Sequence, residues 1–249
     1  MPRVRTALAV LLAACLLPRT ADAGRTFYGW LYGTEVMPER SVELQTWILD
    51  ESGKYGPSNK ETWLWWGPLI GITDQLELAL PIELEWASID VNDVIKTSFT
   101  FKRFGIEARY RFASSDPAEA TGLVPLLRVA AKRDVIVRDS VRLEGDAVMS
   151  YDLGPVNALL DVGFVADVQT SSRHSEVRPG GGLSIQVATG LRFGAEAYSE
   201  LSLDSRGESW ATVGPNIAWT HGRFWLSGMF GIGVYHVRTA PRVMWGIAF

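Results

Sequence analysis

The sequence of 249 residues is poor in cysteine and histidine and has no large excess of either charge. One cysteine cannot form an internal disulfide, and three scattered histidines provide no cluster with metal-ligand spacing. A formal net charge of −4 argues against a nucleic-acid-binding protein, because such proteins carry a basic excess. A hydrophobic content of 47% excludes a disordered chain. We therefore expect no metal, no cofactor and no nucleic-acid partner.

Residues 1–23 have the features of a signal peptide. Arg3 and Arg5 precede an apolar stretch from Ala7 to Leu17, which is too short to cross a bilayer as a helix. Ala21-Asp22-Ala23 is a small-x-small cleavage site. We predict that the mature chain begins at Gly24 and is exported.

A second interpretation of the same segment remains open. Leu12-Ala13-Ala14-Cys15 is similar to a bacterial lipobox, in which Cys15 would carry a lipid. Cleavage after Ala23 would instead remove the only cysteine of the chain. In that case the exported protein has to be stable without any disulfide.

Strict alternation of apolar and polar residues dominates the rest of the chain. After Ala23 no run of about 18 apolar residues occurs, so no transmembrane helix is expected. Between Leu76 and Trp86 every second residue is apolar, which is typical of a strand. The segments are longer than the about 5–6 residues usual in soluble strands and suit a tilted membrane strand. We predict twelve strands, near 40–49, 60–70, 75–86, 97–112, 123–133, 141–151, 155–168, 180–188, 190–203, 209–219, 223–234 and 241–249.

The connections between these segments alternate between short and long. Connections 71–74, 152–154 and 220–222 are tight, whereas 50–59 and 169–179 are longer and polar. Outer-membrane barrels have short periplasmic turns and longer outer loops. The pattern therefore places both chain ends in the periplasm.

The distribution of charge separates a membrane barrel from a soluble β-sandwich or lipocalin-like barrel. One face of the segments carries Leu, Phe and Trp, and the other carries many charges, which a soluble fold would have to bury. We predict an all-β, transmembrane antiparallel β-barrel over residues 24–249, in the bacterial outer membrane. Ten or fourteen strands remain possible, and Phe27–Val36 is a candidate for one more strand. Pro81 and Pro125 lie inside predicted strands and predict bulges there.

Aromatic residues near the predicted strand ends indicate two interface girdles. Rings at both membrane surfaces are typical of outer-membrane barrels, and they would account for most of the ten Trp residues. Phe249 closes an alternating strand and resembles the C-terminal signal that bacterial barrels present to the assembly machinery. We expect that machinery and outer-membrane lipid to be partners. The predicted interface aromatics are Trp86, Tyr110, Phe112, Tyr151, Trp219, Phe224 and Tyr235.

The polar faces of the strands predict a charged lumen. They form either a network of Arg–carboxylate pairs that stiffens the wall or, because acids outnumber bases, a surface that favours cations. The first candidates are Glu77, Glu83, Glu85, Glu107, Arg109, Arg111, Arg142, Glu144, Asp146, Asp161, Asp167, Arg192, Glu196 and Glu200. The same projection adds Glu43, Arg128, Lys132 and Arg242.

The sequence contains no arrangement that favours an enzyme. His174 and Ser175 are adjacent, so on a strand they point to opposite faces and are poorly placed as base and nucleophile. No catalytic residue is predicted.

Two stretches resemble a known family. Gly33-Thr34-Glu35-Val36-Met37-Pro38 precedes the first strand, and Gly71-Ile72-Thr73-Asp74-Gln75-Leu76-Glu77-Leu78 forms a short turn. Together they are similar to bacterial outer-membrane channel proteins associated with phenol-degradation pathways. Glu39-Arg40 departs from that pattern, because family members usually have Gly after the Pro. The resemblance implies a channel for small molecules and carries over no catalytic residue.

The sequence thus predicts a passive outer-membrane channel for small polar or amphipathic solutes. A closed barrel is the alternative, with its lumen sealed by ion pairs and its connections 50–59, 87–96 and 169–179 binding partners. A lipid-active enzyme is a third hypothesis.

Overall fold

A computed structural model describes residues 26–54, 56–91, 94–113, 122–204 and 207–249. The predicted signal peptide, the start at Gly24 and Cys15 lie outside these residues. Within the described ranges, no helix is long and apolar enough to cross a membrane.

Antiparallel strands form the body of the molecule. Most of them are longer than a typical strand of a soluble protein. They are β1 (Val42–Ser52), β2 (Lys60–Gly71), β3 (Leu76–Ala79), β4 (Ile82–Val91), β5 (Val94–Arg111), β6 (Leu123–Asp134), β7 (Val141–Leu153), β8 (Val156–Val168), β9 (Arg173–Ala188), β10 (Leu191–Ser202), β11 (Trp210–His221), β12 (Phe224–Met229), β13 (Ile232–Tyr235) and β14 (Arg242–Ala248).

The sheet closes into a barrel, because the first strand, β1, pairs with β2 and also with the last strand, β14. Leu44 of β1 lies opposite Pro68 of β2 on one side and opposite Ile247 of β14 on the other. β3 and β4 are two parts of one barrel strand, and so are β12 and β13. The structure therefore confirms an all-β antiparallel barrel of twelve strands.

The two prolines predicted to cause bulges behave differently. Pro81 lies at the break between β3 and β4, and the register with β5 shifts between Glu83 and Leu84. Pro125 lies inside an unbroken β6, so the bulge predicted there is wrong. Its carbonyl accepts a hydrogen bond from Phe112, just where β5 ends, so the missing N–H interrupts no ladder.

Two of the predicted connections are mainly strand. β4 reaches Val91 and β5 begins at Val94, so little of the predicted connection 87–96 is loop. Likewise β9 begins at Arg173, within the predicted connection 169–179. Polar residues lie on both faces where β9 and β5 begin, as with His174 and Ser175, so alternation of hydrophobicity does not reveal these two strand starts.

The faces of the barrel wall are inverted relative to a soluble protein. Outward side chains such as Leu143, Val162 and Phe193 are exposed, whereas inward ones such as Glu107 and Arg128 are buried. A surface of this kind suits a hydrocarbon environment.

Residues 26–38 form no strand, which corrects the suggestion that Phe27–Val36 adds one to the sheet. This stretch, hereafter the lumen segment, lies inside the barrel, and Tyr28, Trp30 and Leu31 are among the most buried residues of the protein. A strand here would need a sheet edge for pairing, and the closed barrel has none.

Candidate functional site

Ion pairs cover the inward face of β3–β10, hereafter the charged wall. At its centre, Arg128 lies 2.5 Å from Glu107, 2.7 Å from Glu144 and 2.6 Å from Asp146. The side chain of Arg128 is 1% exposed. A buried cation with three carboxylate partners is well compensated, and each contact is a charge-assisted hydrogen bond.

The network continues from this centre in both directions. On one side, Arg109 links Glu107 to Glu77, at 2.7 and 3.3 Å. On the other side, Arg142 contacts Glu144 at 2.9 Å and Asp167 at 2.6 Å. The Arg109–Glu77 and Arg142–Asp167 pairs join neighbouring strands, so they brace the wall across its hydrogen-bonded ladders, whereas the other two pairs lie within one strand.

Two further cations complete the network towards the long connections. Lys132 lies 2.6 Å from Glu83 and 2.9 Å from Glu144. Arg178 contacts Glu176 and lies 3.1 Å from Glu200. Because Arg142 also lies 3.3 Å from Glu176, the charged wall is one connected array from Glu77 to Glu200.

The remaining predicted lumen residues have other partners. Glu85 pairs with Lys102 at 3.2 Å, and Arg111 pairs with Glu35 of the lumen segment at 2.7 Å. Arg192 lies over the Phe27 ring, 4.0 Å from its centroid. The prediction omitted several charged lumen residues: Glu51, Lys54, Arg103, Glu176 and Arg178. Glu176 and Arg178 fell within a stretch interpreted as a loop.

Aromatic side chains occupy the inward face of β11, β12, β1 and β2, and Met244 of β14 is buried between them; this part of the barrel is hereafter the aromatic wall. Trp47 and Trp65 stack there with ring centroids 6.4 Å apart. Trp225 donates its indole N–H to Glu43, with Nε1 to Oε2 of 2.9 Å. Together with Trp30 and Trp210, these are five of the ten Trp residues, and all five are buried. The prediction that most Trp residues lie at membrane interfaces is therefore wrong.

The aromatics predicted for the interfaces lie on the outer surface of the barrel. Six are exposed and Phe224 is half-buried; the six are Trp86, Tyr110, Phe112, Tyr151, Trp219 and Tyr235. Phe249 is exposed, and its backbone N–H donates to the carbonyl of Val42. Its role in assembly remains a prediction.

Wall carboxylates bind the backbone of the lumen segment. Glu196 accepts hydrogen bonds from the N–H groups of Gly29, Trp30 and Leu31, at 2.6, 3.0 and 3.3 Å. Asp161 accepts one from Tyr32 at 3.1 Å. These contacts satisfy backbone donors that no strand ladder satisfies, so the segment has a defined place in the lumen.

The segment enters and leaves the lumen at the short-turn end. Met37 donates its N–H to Glu77 at 2.7 Å, and Phe27 lies beneath Arg192, close to the β9–β10 turn. Between them, the Trp30 indole N–H reaches the carbonyl of Ala240, beside the start of β14, at 2.8 Å. The lumen segment is thus a loop with its tip at Trp30, pointing towards the long connections.

Glycines in β9 explain why the segment fits. A Cβ on Gly180 would lie 2.4 Å from Leu31 Cδ2, and one on Gly182 would lie 2.4 Å from Tyr28 Cε1. Any other residue at either position would collide with the segment. Gly180 and Gly182 therefore make room for the segment inside the lumen.

Guanidinium groups hold the rings of the segment from both walls. Arg128 lies 4.2 Å from the centroid of Tyr32. Arg242 lies 5.3 Å from the centroid of Trp30 and 4.4 Å from that of Trp47. These distances are within the range of cation–π attraction.

Two cavities lie on opposite sides of the segment. The vestibule, a cavity of about 270 Å³, lies towards the long connections and has Trp30 and Tyr32 in its lining. A cavity of about 50 Å³ lies towards the short turns and includes Tyr28 and Thr34 in its lining. They have no lining residue in common, and the lumen segment contributes different residues to each lining, so the segment lies between them.

His174 and Ser175 are not arranged as a catalytic pair. His174 lines the vestibule, and its Nδ1 lies 2.7 Å from Asp204. The Ser175 hydroxyl instead accepts a hydrogen bond from Arg173, at 3.2 Å. Among the described residues, no group of His, Cys, Asp and Glu side chains is suited to hold a metal ion.

Comparison with known proteins identifies the fold but no family. No family model and no curated protein matches the sequence. The structure is similar to the COG4313 outer membrane channel from Pseudomonas putida F1, with a TM-score of 0.59 and 12% identity over 87% of this chain and 98% of that chain. The translocator domain of autotransporter NalP from Neisseria meningitidis matches with a TM-score of 0.52 and 10% identity, over 84% and 88% of the two chains. The NanC porin matches with a TM-score of 0.51 and 11% identity, over 83% and 98%. The chain therefore has the fold of bacterial outer-membrane barrels.

Proposed function

We propose that the protein is a passive outer-membrane channel for small polar or amphipathic solutes, closed in the described state by its own lumen segment. One observation carries this proposal. Trp30 and Tyr32 form the floor of the vestibule. Both belong to the lumen segment, which lies inside the barrel and is not one of its strands. Movement of that segment opens the lumen without breaking any strand pairing.

The vestibule supports passage of solutes that carry charge. Nine carboxylate side chains and six Lys or Arg side chains contribute to its lining. An excess of fixed negative charge attracts cations and repels anions. We therefore expect cation-selective conductance in the open state.

Two of the similar solved structures are a channel and a porin by name. Those names describe the other proteins, and for this chain they support the proposal only through the shared fold. The predicted resemblance to phenol-pathway channel proteins also points to small molecules as solutes.

Single-channel recording in planar bilayers tests the proposal, with Glu196→Gln as the informative variant. A neutral amide oxygen replaces the carboxylate that accepts three backbone N–H groups. Weakening this anchor by about 1.4 kcal/mol would raise the ratio of open to closed states about tenfold. Glu85→Gln is the matched control, because Glu85 pairs with Lys102 and should leave opening unchanged.

A sealed barrel is the competing function, and the ion-pair network favours it. If the folded wild type and the folded Glu196→Gln variant both show no openings, the protein is a sealed barrel and the channel proposal is wrong.

A further inference from the structure

A cage of carboxylates and rings lies on one side of the vestibule and holds an ammonium group. Lys54 Nζ lies 2.8 Å from Glu51 Oε2 and 3.7 Å from Glu200 Oε2. The same atom lies 5.2 Å from the ring centroid of Trp210. The Lys54 side chain is only 10% exposed, so the cage surrounds the end of an alkylammonium chain.

The cage is built from contacts that do not involve Lys54. Glu200 accepts hydrogen bonds from Trp210 Nε1 at 2.9 Å and from the Tyr198 hydroxyl at 3.1 Å, and Arg178 lies 3.1 Å from it. Trp210 packs against Trp30, with centroids 5.3 Å apart, and against Tyr198 at 5.7 Å. These contacts fix Glu200 and Trp210 before any ammonium is bound.

Lys54, which occupies the cage, belongs to a different kind of element than the residues that form the cage. Glu51, Glu200 and Trp210 belong to the barrel strands β1, β10 and β11. Lys54 belongs to the connection between β1 and β2, next to Gly53, whose φ is 73°. A connection can move without disturbing the pairing of the strands, so Lys54 can leave a cage that stays in place.

We propose that this cage binds the primary ammonium group of a small aliphatic solute, and that Lys54 fills it when no solute is present. Calling the ligand a transported solute rests on the proposed channel function; the binding site itself does not. The chemistry selects a primary amine, because the 2.8 Å contact with Glu51 needs an N–H donor and the ring of Trp210 suits a cation with an apolar stem. The excess of carboxylates around the vestibule disfavours anions.

Calorimetry on purified Lys54→Ala protein tests the site, with propylammonium as the probe. Propylammonium replaces the three carbons and the ammonium that the substitution removes. We expect saturable binding at least tenfold tighter than to the wild type, where Lys54 competes. Lys60→Ala is the matched control: Lys60 is an exposed lysine that pairs with Asp50, and its removal should create no site.

Two comparisons distinguish binding in the cage from nonspecific electrostatic attraction of a cation. Propyltrimethylammonium has the same charge but no N–H, so it should bind Lys54→Ala at least tenfold more weakly than propylammonium. The double variant Lys54→Ala, Glu51→Gln should likewise lose at least tenfold in affinity. Folded Lys54→Ala protein without saturable binding, or equal binding to the double variant, would overturn the proposal.

Lys54→Met provides a second test if Lys54→Ala does not fold. Methionine keeps most of the stem and removes only the charged end, so ammonium ion itself can occupy the position of Nζ. Ammonium chloride should raise the unfolding temperature of Lys54→Met more than that of the wild type, and tetramethylammonium chloride should not. Equal shifts for both salts would overturn the proposal. Loss of conductance with binding intact would contradict the channel alone, and loss of binding with conductance intact would contradict the cage alone.

Discussion

The charged wall and the aromatic wall enclose the same segment, but they hold it by different means. The charged wall contacts it through carboxylates, as Glu196 does with the backbone of Gly29 and Trp30. At the aromatic wall, Trp30 packs against Trp210, and Arg242 lies between the rings of Trp30 and Trp47. Here the hydrogen bonds run the other way, because Ser227 and Arg242 donate to the carbonyls of Tyr28 and Trp30. Directional hydrogen bonds set the position of the segment, and packing excludes water from it.

For the proposed channel function, this difference explains how the barrel would be closed and still be able to open. The ion pairs of the charged wall connect the strands with one another, and most of them do not involve the lumen segment. The contacts that hold the segment are distinct from those that join the strands, so under the proposed function they can break while the wall stays intact. Substitutions in the two walls should accordingly differ in their effect on folding.

The largest effect is expected for Arg128→Ala at the centre of the charged wall. The change leaves Glu107, Glu144 and Asp146 without their shared cation in a buried site. Breaking such a buried cluster should lower the free energy of unfolding by about 3–5 kcal/mol. Urea unfolding followed by electrophoretic mobility would measure the loss.

Arg133→Ala is the matched control for that substitution. Arg133 lies on the same strand but is exposed, and its guanidinium donates a hydrogen bond to the carbonyl of Arg138. Its removal should change the free energy of unfolding by less than about 0.5 kcal/mol. Equal losses for Arg128→Ala and Arg133→Ala would show that the charged wall does not stabilise the barrel.

A smaller effect is expected for Trp225→Phe in the aromatic wall. Phenylalanine keeps most of the packing but removes the indole N–H that donates to the buried Glu43. The expected loss in free energy of unfolding is about 1–3 kcal/mol, in the same urea assay. Trp219→Phe, on the exposed outer surface, should cost less; the reverse order would contradict the assignment of Trp225 to the interior.

The sequence predicts the charged wall well and the contents of the lumen poorly. Arg142 and Glu144 could be assigned because apolar residues separate them at strict alternation in β7. Glu176 and Arg178 escaped notice because both faces are polar where β9 begins, with Arg173 and Ser175 on one face and His174 and Glu176 on the other. Alternation of polar and apolar residues shows which face of a strand a residue lies on only where the two faces differ from each other in polarity.

The Trp residues and the lumen segment could not be assigned for a different reason. Trp65 and Trp86 obey the same alternation rule, yet one is buried in the lumen and the other is exposed. The lumen of a barrel is expected to be polar, so a ring facing inward is unexpected unless something fills the lumen. What fills it is the lumen segment, whose place depends on contacts with distant residues such as Glu196 and Ala240.

The most direct test of closure by the lumen segment is a reversible cross-link between Thr34 and Ser150. Their hydroxyl oxygens are 2.6 Å apart, so sulfur atoms at these positions come within reach of an S–S bond. Only Cys15, in the predicted signal peptide, could compete. In planar bilayers, the oxidised Thr34→Cys, Ser150→Cys protein should stay closed, and reduction should restore the openings seen with either single-cysteine variant. Equal conductance of the cross-linked and the reduced protein would contradict the conclusion that this segment closes the lumen.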